Sequence, residues 1–316
     1  VLPEVREYER GMATWLNACV GPLMHRYLSA LAARLAPARL AVMQSSGVSA
    51  APDFAARHAV NLLLSGPAGG LLGAQHVAAL AGCEHLLTFD MGGTSTDVAL
   101  IDGELTLTTE GAVGPYPVAV PMVDMHTIGA GGGSLARVDA AGLLHVGPQS
   151  AGAAPGPACY GLGGKVATVT DANVVLGRLP AGLELGSCLR IDADAARRAV
   201  AEVAAALGGV SLTRAAQGIV DLANEHMQQA LRVISVERGV DPRAYTLVSF
   251  GGAGGLHVCA LADALGMQHA LVPAQAGVLS ALGMTVARAG RHSSKTLRRA
   301  LADLSDADIE QGYEML

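Results

Sequence analysis

Aromatic residues are scarce in this chain. They make up 3% of its 316 residues, against 51% hydrophobic residues, so the core must be built from Ala, Leu and Val. Lysine is nearly missing: Lys165 and Lys295 are the only two, and arginine carries the rest of the positive charge. The formal net charge of −6 leaves no basic footprint for nucleic acid. The five cysteines, Cys19, Cys83, Cys159, Cys188 and Cys259, form no CxxC pair. That argues against a zinc knuckle or a redox dithiol. An odd, scattered set fits buried thiols in a reducing cytoplasm better than a disulfide framework.

Other signals are missing too. Residues 59–83 lack acids and bases and are long enough for a membrane span. Pro67, a glycine cluster and the polar Asn61, Ser65, Gln75 and His76 interrupt them, so they read as buried strand, turn and helix. The N-terminal "VLPEVREYER" is charged and has no signal-peptide core. It also lacks an initiator Met, so the chain reads as a piece of something longer. There is no GxxxxGK[ST], because Cys159 and Val166 break the pattern around Gly164–Lys165, and there is no HExxH or GxSxG. Those absences count against a P-loop NTPase, a zincin and an α/β-hydrolase.

What is present alternates strands with helices, which predicts an α/β fold. The length leaves room for one large domain or two ordinary ones. Helical spacing of Leu16, Val20, Leu23, Tyr27, Leu31 and Leu35 predicts a helix over 4–35, kinked at Gly21-Pro22. "LAVMQ" (40–44) and "VNLLL" (60–64) read as strands, and "SGPAGG" opens a helix over 70–82. "HLLTF", "DVALI" and "LTLTT" read as strands, with Asp102-Gly103 as a hairpin turn. Residues 111–165, rich in Gly, Pro, Ala and Ser, read as ordered irregular structure approaching a ligand. "ATVTD" (167–171) reads as a strand, 194–207 as an Ala-rich helix, and 213–238 as the longest helix. Ala216, Ile219, Ala223, Met227, Ala230 and Ile234 line one face of that helix, with Gly239 as its stop. "YTLVSF", then a helix "LHVCALADALG", a short strand "ALVP" and a helix over 277–287 complete the alternation.

The chemistry concentrates in "FDMGGTSTD" (89–97). Asp90 ends a strand, at the carboxyl edge where ligands bind in open α/β sheets. Gly92 and Gly93 let the backbone turn tightly. Successive amides in such a turn form a nest for anionic oxygens, and Thr94, Ser95 and Thr96 add hydroxyls. Asp90 or Asp97 could then orient a water or a hydrated Mg²⁺, with Asp90 the candidate metal ligand. "FGGAGGLH" (250–257) turns a strand into a helix through Gly251, Gly252, Ala253 and Gly254, which aims helix N-terminal amides at a ligand. "DMHTIGAGGGSLARVD" (124–139) offers Gly131 and Gly132 and a candidate acid/base, His126, alternating with Asp124. Neither meets GxGxxG; in the second, Ser134 stands where the last glycine would be. Asp171, in "TVTDANVV", reads first as a helix cap.

The blocks "LLLSGPAGG", "LTFDMGGTSTDVALIDG", "HTIGAGGGSLARVD", "VGPQSAGAAPGPACYGLGG", "VTDANVVLGRL", "VISVERGVDPRAYTLVSFGGAGGLH" and "GVLSALGM" occur in the order seen in the hydantoinase A / 5-oxoprolinase family. The chain resembles the central domain of that family over nearly its whole length. It is similar to the A subunit of N-methylhydantoinases, to one subunit of acetone and acetophenone carboxylases, and to one half of 5-oxoprolinase. The resemblance implies an actin-like (ribonuclease H-like) ATPase fold, with ATP and Mg²⁺ between two similar lobes. Asp90–Asp97 matches the second phosphate loop and Gly251–Gly255 the adenosine motif. The helices starting near Gly66 and Gly277 match the connecting helices. On that mapping residues 1–85 are the remainder of a first lobe, 86–290 the second lobe and 291–316 the start of a C-terminal domain.

Two departures from the family pattern stand out. There is no second acid–glycine–threonine string, so the phosphate-1 loop is expected upstream of Val1, and the chain alone is expected to be inactive. Gly255 stands where many relatives carry Pro. The implied chemistry is ATP-dependent phosphorylation of a cyclic amide's carbonyl oxygen, followed by ring opening with a hydantoinase B-like partner. In the carboxylase branch a ketone is activated instead. The implied protein is cytoplasmic and oligomeric, with no nucleic acid or membrane as partner.

Overall fold

The computed structural model describes residues 6–186, 189–294, 296–297 and 300–314. Cys188, Lys295 and the first residues of the predicted N-terminal helix lie outside the described residues. The helices are α1 (Glu7–Leu35), α2 (Pro52–Arg57), α3 (Ser65–Leu80), α4 (Val169–Val175), α5 (Ala193–Ala206), α6 (Leu212–Ile234), α7 (Val258–Leu265), α8 (Leu279–Val286) and α9 (Asp306–Glu314). The strands that matter for the site are β1 (His85–Met91), β2 (Thr96–Asp102), β3 (His126–Ile128), β4 (Ser134–Val138), β5 (Leu144–Ser150), β6 (Thr246–Phe250) and β7 (Ala270–Leu271). The chain divides into two compact units.

One unit comprises residues 1–73, 105–124 and 280–316. Here α1 runs unbroken through Gly21-Pro22. The predicted apolar stripe forms only part of its buried face: Leu16, Val20 and Leu31 are half-buried, but Leu23 is 61% and Tyr27 58% exposed. The helix instead buries Ala13 against Val60, Val118 and Val120, and Leu28 against Ala55 and Ala56. The predicted strand over 60–64 is a 3-10 turn, Ala59–Leu62. Its Val60 N–H donates to Asn17 Oδ1 of α1, and Leu64 takes φ 61, which takes the backbone out of any strand. The predicted strand at 40–44 shrinks to Val42–Met43, paired with Ser49–Ala50. Helix α3 starts at Ser65, so the "SGPAGG" glycines lie inside the helix rather than before it. A Cβ on Gly69 would meet Ser280 O at 2.9 Å, and one on Gly283 would collide with Gly69 O. These glycines are thus demanded by a close crossing of α3 and α8.

The other unit comprises residues 74–104 and 125–279. Its sheet has the order β3-β2-β1-β6-β7, with Glu104–Leu105 pairing β2. Strand β2 runs antiparallel to both β3 and β1, while β6 runs parallel to both β1 and β7. The Asp102-Gly103 turn is therefore real, but "LTLTT" splits, and Leu107–Thr108 pairs with Met122–Val123 instead. Leu87, Phe89, Met91, Val98 and Leu247 lie in the core that α4, α5, α6 and α7 cover. Leu86, Ala99, Ile101, Val248 and Phe250, of opposite phase, are buried as well. Burial on both faces explains why these strands read as continuous apolar runs. All six face residues predicted for α6 are buried, and Gly239 follows in the left-handed region at φ 79.

The predicted strand 167–171 is a correction of another kind. Thr168 caps α4: its hydroxyl accepts from the Asp171 N–H, and the Asp171 carboxylate accepts from the Thr168 N–H. That capping box turns three β-branched residues (Thr168, Val169 and Thr170) into a helix start. The Asp171 carboxylate, fully buried, also accepts from the amides of Ala158 and Cys159, and so anchors the loop before it.

Candidate functional site

Three glycine segments meet at the carboxyl end of β1. The turn Gly92–Ser95 joins β1 to β2, closed by Gly92 N–H to Ser95 O at 3.1 Å. Segment 131–133 lies directly on it. Gly132 N–H donates to Gly92 O (3.0 Å) and Gly133 N–H to Gly93 O (2.7 Å). A Cβ on Gly131 would lie 2.7 Å from Gly93 C and Thr94 N, so only glycine allows this stacking of backbone on backbone. The third segment, Gly251–Gly254, crosses the tip of β1, with Ala253 N–H donating to Met91 O at 3.0 Å. Gly251 has φ +80, and a Cβ there would strike Asp90 Oδ1 and lie 2.5 Å from Met91 O.

The convergence sorts the predicted residues into two groups. Gly131 and Gly132 support the turn: their amides are taken by Ser134 Oγ and Gly92 O. Thr96 is buried and gives its hydroxyl to Ala130 O at 2.6 Å. By contrast, the N–H groups of Gly93, Thr94, Ser95 and Gly252 make no hydrogen bond among the described residues. They are free backbone donors on two fixed loops, the Gly92–Ser95 turn and the Gly251–Gly254 segment, as an anionic oxygen requires.

Asp90 and Asp97 are register partners across β1 and β2. Partners opposite each other share a face, with Cβ atoms about 5 Å apart. Burial, and then the Asp97 charge, push the Asp90 carboxyl up to about 6. Asp97 is raised by burial, and its hydrogen bond to Thr127 opposes the rise. Asp90 accepts no hydrogen bond among the described residues, while Asp97 Oδ1 accepts from Thr127 Oγ1 at 2.6 Å. Among the described residues no three His, Cys, Asp or Glu side chains gather as a metal site. Two facing carboxylates still suit Mg²⁺, which is held by one or two carboxylates plus phosphate and keeps several waters.

His126 pairs with Val98, the neighbour of Asp97, so it projects from the opposite face of the sheet. The residue that shares the acid row is Thr127. A separate groove of about 420 Å³, lined by Leu144, His145, Val146, Pro148, Leu222 and His226 among others, lies between β5 and α6.

Sequence reasoning missed the supports behind the loops. The N–H and hydroxyl of Thr170 both reach Gly132 O at 2.8 Å. Asn173, one turn of α4 later, lies 3.5 Å from His257 Nε2. His257, just past the third glycine segment, is buried and bonded through Nδ1 to Asn224 Oδ1 at 2.6 Å. Helix α4 is thus tied to both glycine loops. A histidine following "GGAGGL" was the one available signal.

Burial and then the Arg178 charge depress His257 to about 4. The folded value lies below the unfolded value of about 6.5, so its stability contribution is whole above that pH. It is lost as pH falls toward 4, by at most about 1.4 kcal/mol per unit. Denaturation at pH 7 and pH 4.5 should therefore show the stability gap between wild type and His257→Gln narrowing on acidification. A gap independent of pH would refute the buried neutral histidine.

A family model described as hydantoinase/oxoprolinase matches residues 10–292. Caprolactamase subunit alpha of Pseudomonas jessenii is 40% identical over 98% of this chain and 45% of its own length. A 5-oxoprolinase, PfmaA, of Pestalotiopsis fici is 37% identical over 90% of this chain and 23% of its own. A nucleotide-free structure of acetone carboxylase superposes with TM-score 0.83 at 29% identity, covering 99% of this chain and 45% of that one. The ATP-dependent caprolactamase structure from P. jessenii gives 0.79 at 41%, covering 90% and 42%. The fold is the actin-like ATPase fold of those structures. The chain spans about half the length of such relatives, or less. No helix among the described residues is long and apolar enough to cross a membrane.

Proposed function

The chain belongs to the hydantoinase/oxoprolinase family, and from that premise we propose that it is the nucleotide-handling part of an ATP-dependent subunit that opens a cyclic amide. The observation that carries the reading is the meeting of three glycine segments beside two facing carboxylates, with free amides at Gly93, Thr94, Ser95 and Gly252. The amides receive phosphate oxygens. Asp90 and Asp97 hold Mg²⁺ or its water. Gly131, Gly132 and Thr96 keep the turn rigid, and Gly251–Gly254 forms the nucleotide's second wall. ATP, once bound, supplies the phosphoryl group that makes a lactam, hydantoin or 5-oxoproline carbonyl open to water. Rigid donors suit that transfer, which depends on positioning and charge neutralisation.

The finer assignments belong to the same proposal. Residues 1–85 complete a first lobe, 86–290 form the second and 291–316 begin a further domain. A hydantoinase B-like subunit carries out the ring opening in the cytoplasm. His126, on the far face of the sheet, acts on no phosphate. The likeness to acetone carboxylase favours one second reading, activation of a ketone for carboxylation.

The test uses the full-length protein with its partner subunit. Phosphate release is measured with caprolactam, hydantoin, 5-oxoproline, and acetone plus bicarbonate. Stimulation by a cyclic amide is the expected result. Stimulation by acetone alone moves the assignment to the carboxylase reading. No stimulation by any of them overturns both.

A further inference from the structure

We propose that Thr127 is a positioning residue that orients Asp97, so that Asp97 and Asp90 together hold one divalent cation. The inference rests on the reading above, since the cation is the one that accompanies the nucleotide. Thr127 lies on β3, the edge strand of the sheet, opposite Asp97, which in turn lies opposite Asp90. The three side chains form one row on one face. The Thr127 hydroxyl donates to Asp97 Oδ1 at 2.6 Å. No donor reaches the other Asp97 oxygen or either Asp90 oxygen among the described residues.

The arrangement has a direct chemical consequence. A carboxylate with one oxygen fixed by a hydroxyl has lost its free rotation. Its second oxygen is left without a donor, and Asp90 stands in register on the neighbouring strand. Two unscreened carboxylates in one row repel each other until a cation lies between them. A donor that ties down one of them therefore builds half of a cation site in advance. This is how outer hydrogen bonds orient metal-binding carboxylates, and losing such a bond weakens metal binding by about 10- to 100-fold. Thr127 is exposed, and its hydroxyl supports no other described contact, so packing alone does not require it.

The experiment compares Thr127→Val with Thr127→Ser in the full-length protein and partner. Valine keeps the branched shape that suits a strand, and serine keeps the hydroxyl. Mn²⁺ is titrated in the presence of a non-hydrolysable ATP analogue and followed by electron paramagnetic resonance. Thr127→Val is expected to weaken Mn²⁺ by about tenfold, and to raise the Mg²⁺ needed for half-maximal ATP turnover by the same factor. The KM for ATP at saturating Mg²⁺ stays unchanged, and Thr127→Ser restores both values. Wild-type Mn²⁺ affinity in Thr127→Val overturns the proposal, as does a serine variant as weak as the valine one. If Thr127→Val does not fold, Thr127→Ala carries the same expectation. A wild-type complex that turns over no ATP counts against the proposed function, while the Mn²⁺ titration still decides the role of Thr127.

Discussion

Gly251→Ala is expected to lower ATP turnover of the full-length complex by about 100-fold or more, the penalty for displacing reacting groups by an ångström. Two separate strains act at this position. Its φ of +80 lies in the left-handed region, where a Cβ costs about 1–2 kcal/mol. The new methyl would also press on Met91 O at 2.5 Å and Met91 C at 2.8 Å. Those are backbone atoms of a residue paired at the end of β1, so they cannot swing aside as a long side chain would. Overpacking of this kind adds about 1–3 kcal/mol. Relaxation must therefore move the loop, and the loop is what holds the nucleotide's second wall against Asp90. Gly252→Ala is the control for folding. Nothing lies within 4 Å of a Cβ there and its φ is not left-handed, so its stability should stay within about 0.5 kcal/mol of wild type. Thermal melts of both variants, with ATP turnover of Gly251→Ala, settle the matter. Wild-type turnover in Gly251→Ala would remove the loop from the site.

The glycine loops were legible in the sequence because their chemistry is local. Acid, two glycines and hydroxyls can be read in one window, and so can a strand that runs into "GGAGG". Their meeting was not legible, because it depends on backbone stacking between residues nearly 40 and 160 positions apart. Gly131 and Gly132 show the limit well. Glycine marks a close approach, but the sequence does not say to what; here it is the Gly92–Gly93 turn rather than a ligand. His126 and Thr127 show a second limit. On a strand, one residue of phase decides the face, and pairing fixed that phase through Asp97. "VNLLL" and "ATVTD" failed for different reasons. The first docks Val60 on α1 instead of pairing in a sheet. In the second, a capping box outweighs β-branched propensity. Asp171 was readable as a capping residue because capping is local, but it is the N3 member of the box and Thr168 is the N-cap. Thr170, Asn173 and Asn224 carried no signal, since an amide or hydroxyl on a helix looks the same whether or not it supports a loop.

Asp90→Asn separates function from stability. Turnover should fall by about 100- to 1,000-fold, as for loss of a charge-managing group at the reacting centre. The fold, however, should gain. Asp90 accepts no hydrogen bond among the described residues, so the amide leaves no donor without its acceptor. The native carboxyl sits at about 6, against 3.8 for the unfolded chain, because burial and the Asp97 charge disfavour ionisation. The folded value is the higher one, so the wild type loses stability as pH rises from about 4 to about 6. That rise in pKa would be worth about 3 kcal/mol in full, and about 1–2 kcal/mol after allowing for solvent screening of a partly exposed group. Asparagine escapes that loss. Its advantage should be absent near pH 4 and complete by pH 7. His257 titrates across nearly the same range with the opposite sign, so the two slopes oppose each other in the wild type. The comparison must therefore be made as a difference between variant and wild type at each pH, by urea denaturation. Mg²⁺ with an ATP analogue should then reverse the order, stabilising the wild type more than Asp90→Asn, because only the carboxylate gains from the cation. An Asp90→Asn variant less stable than wild type at pH 7 without ligand would mean that Asp90 serves the fold and not the nucleotide.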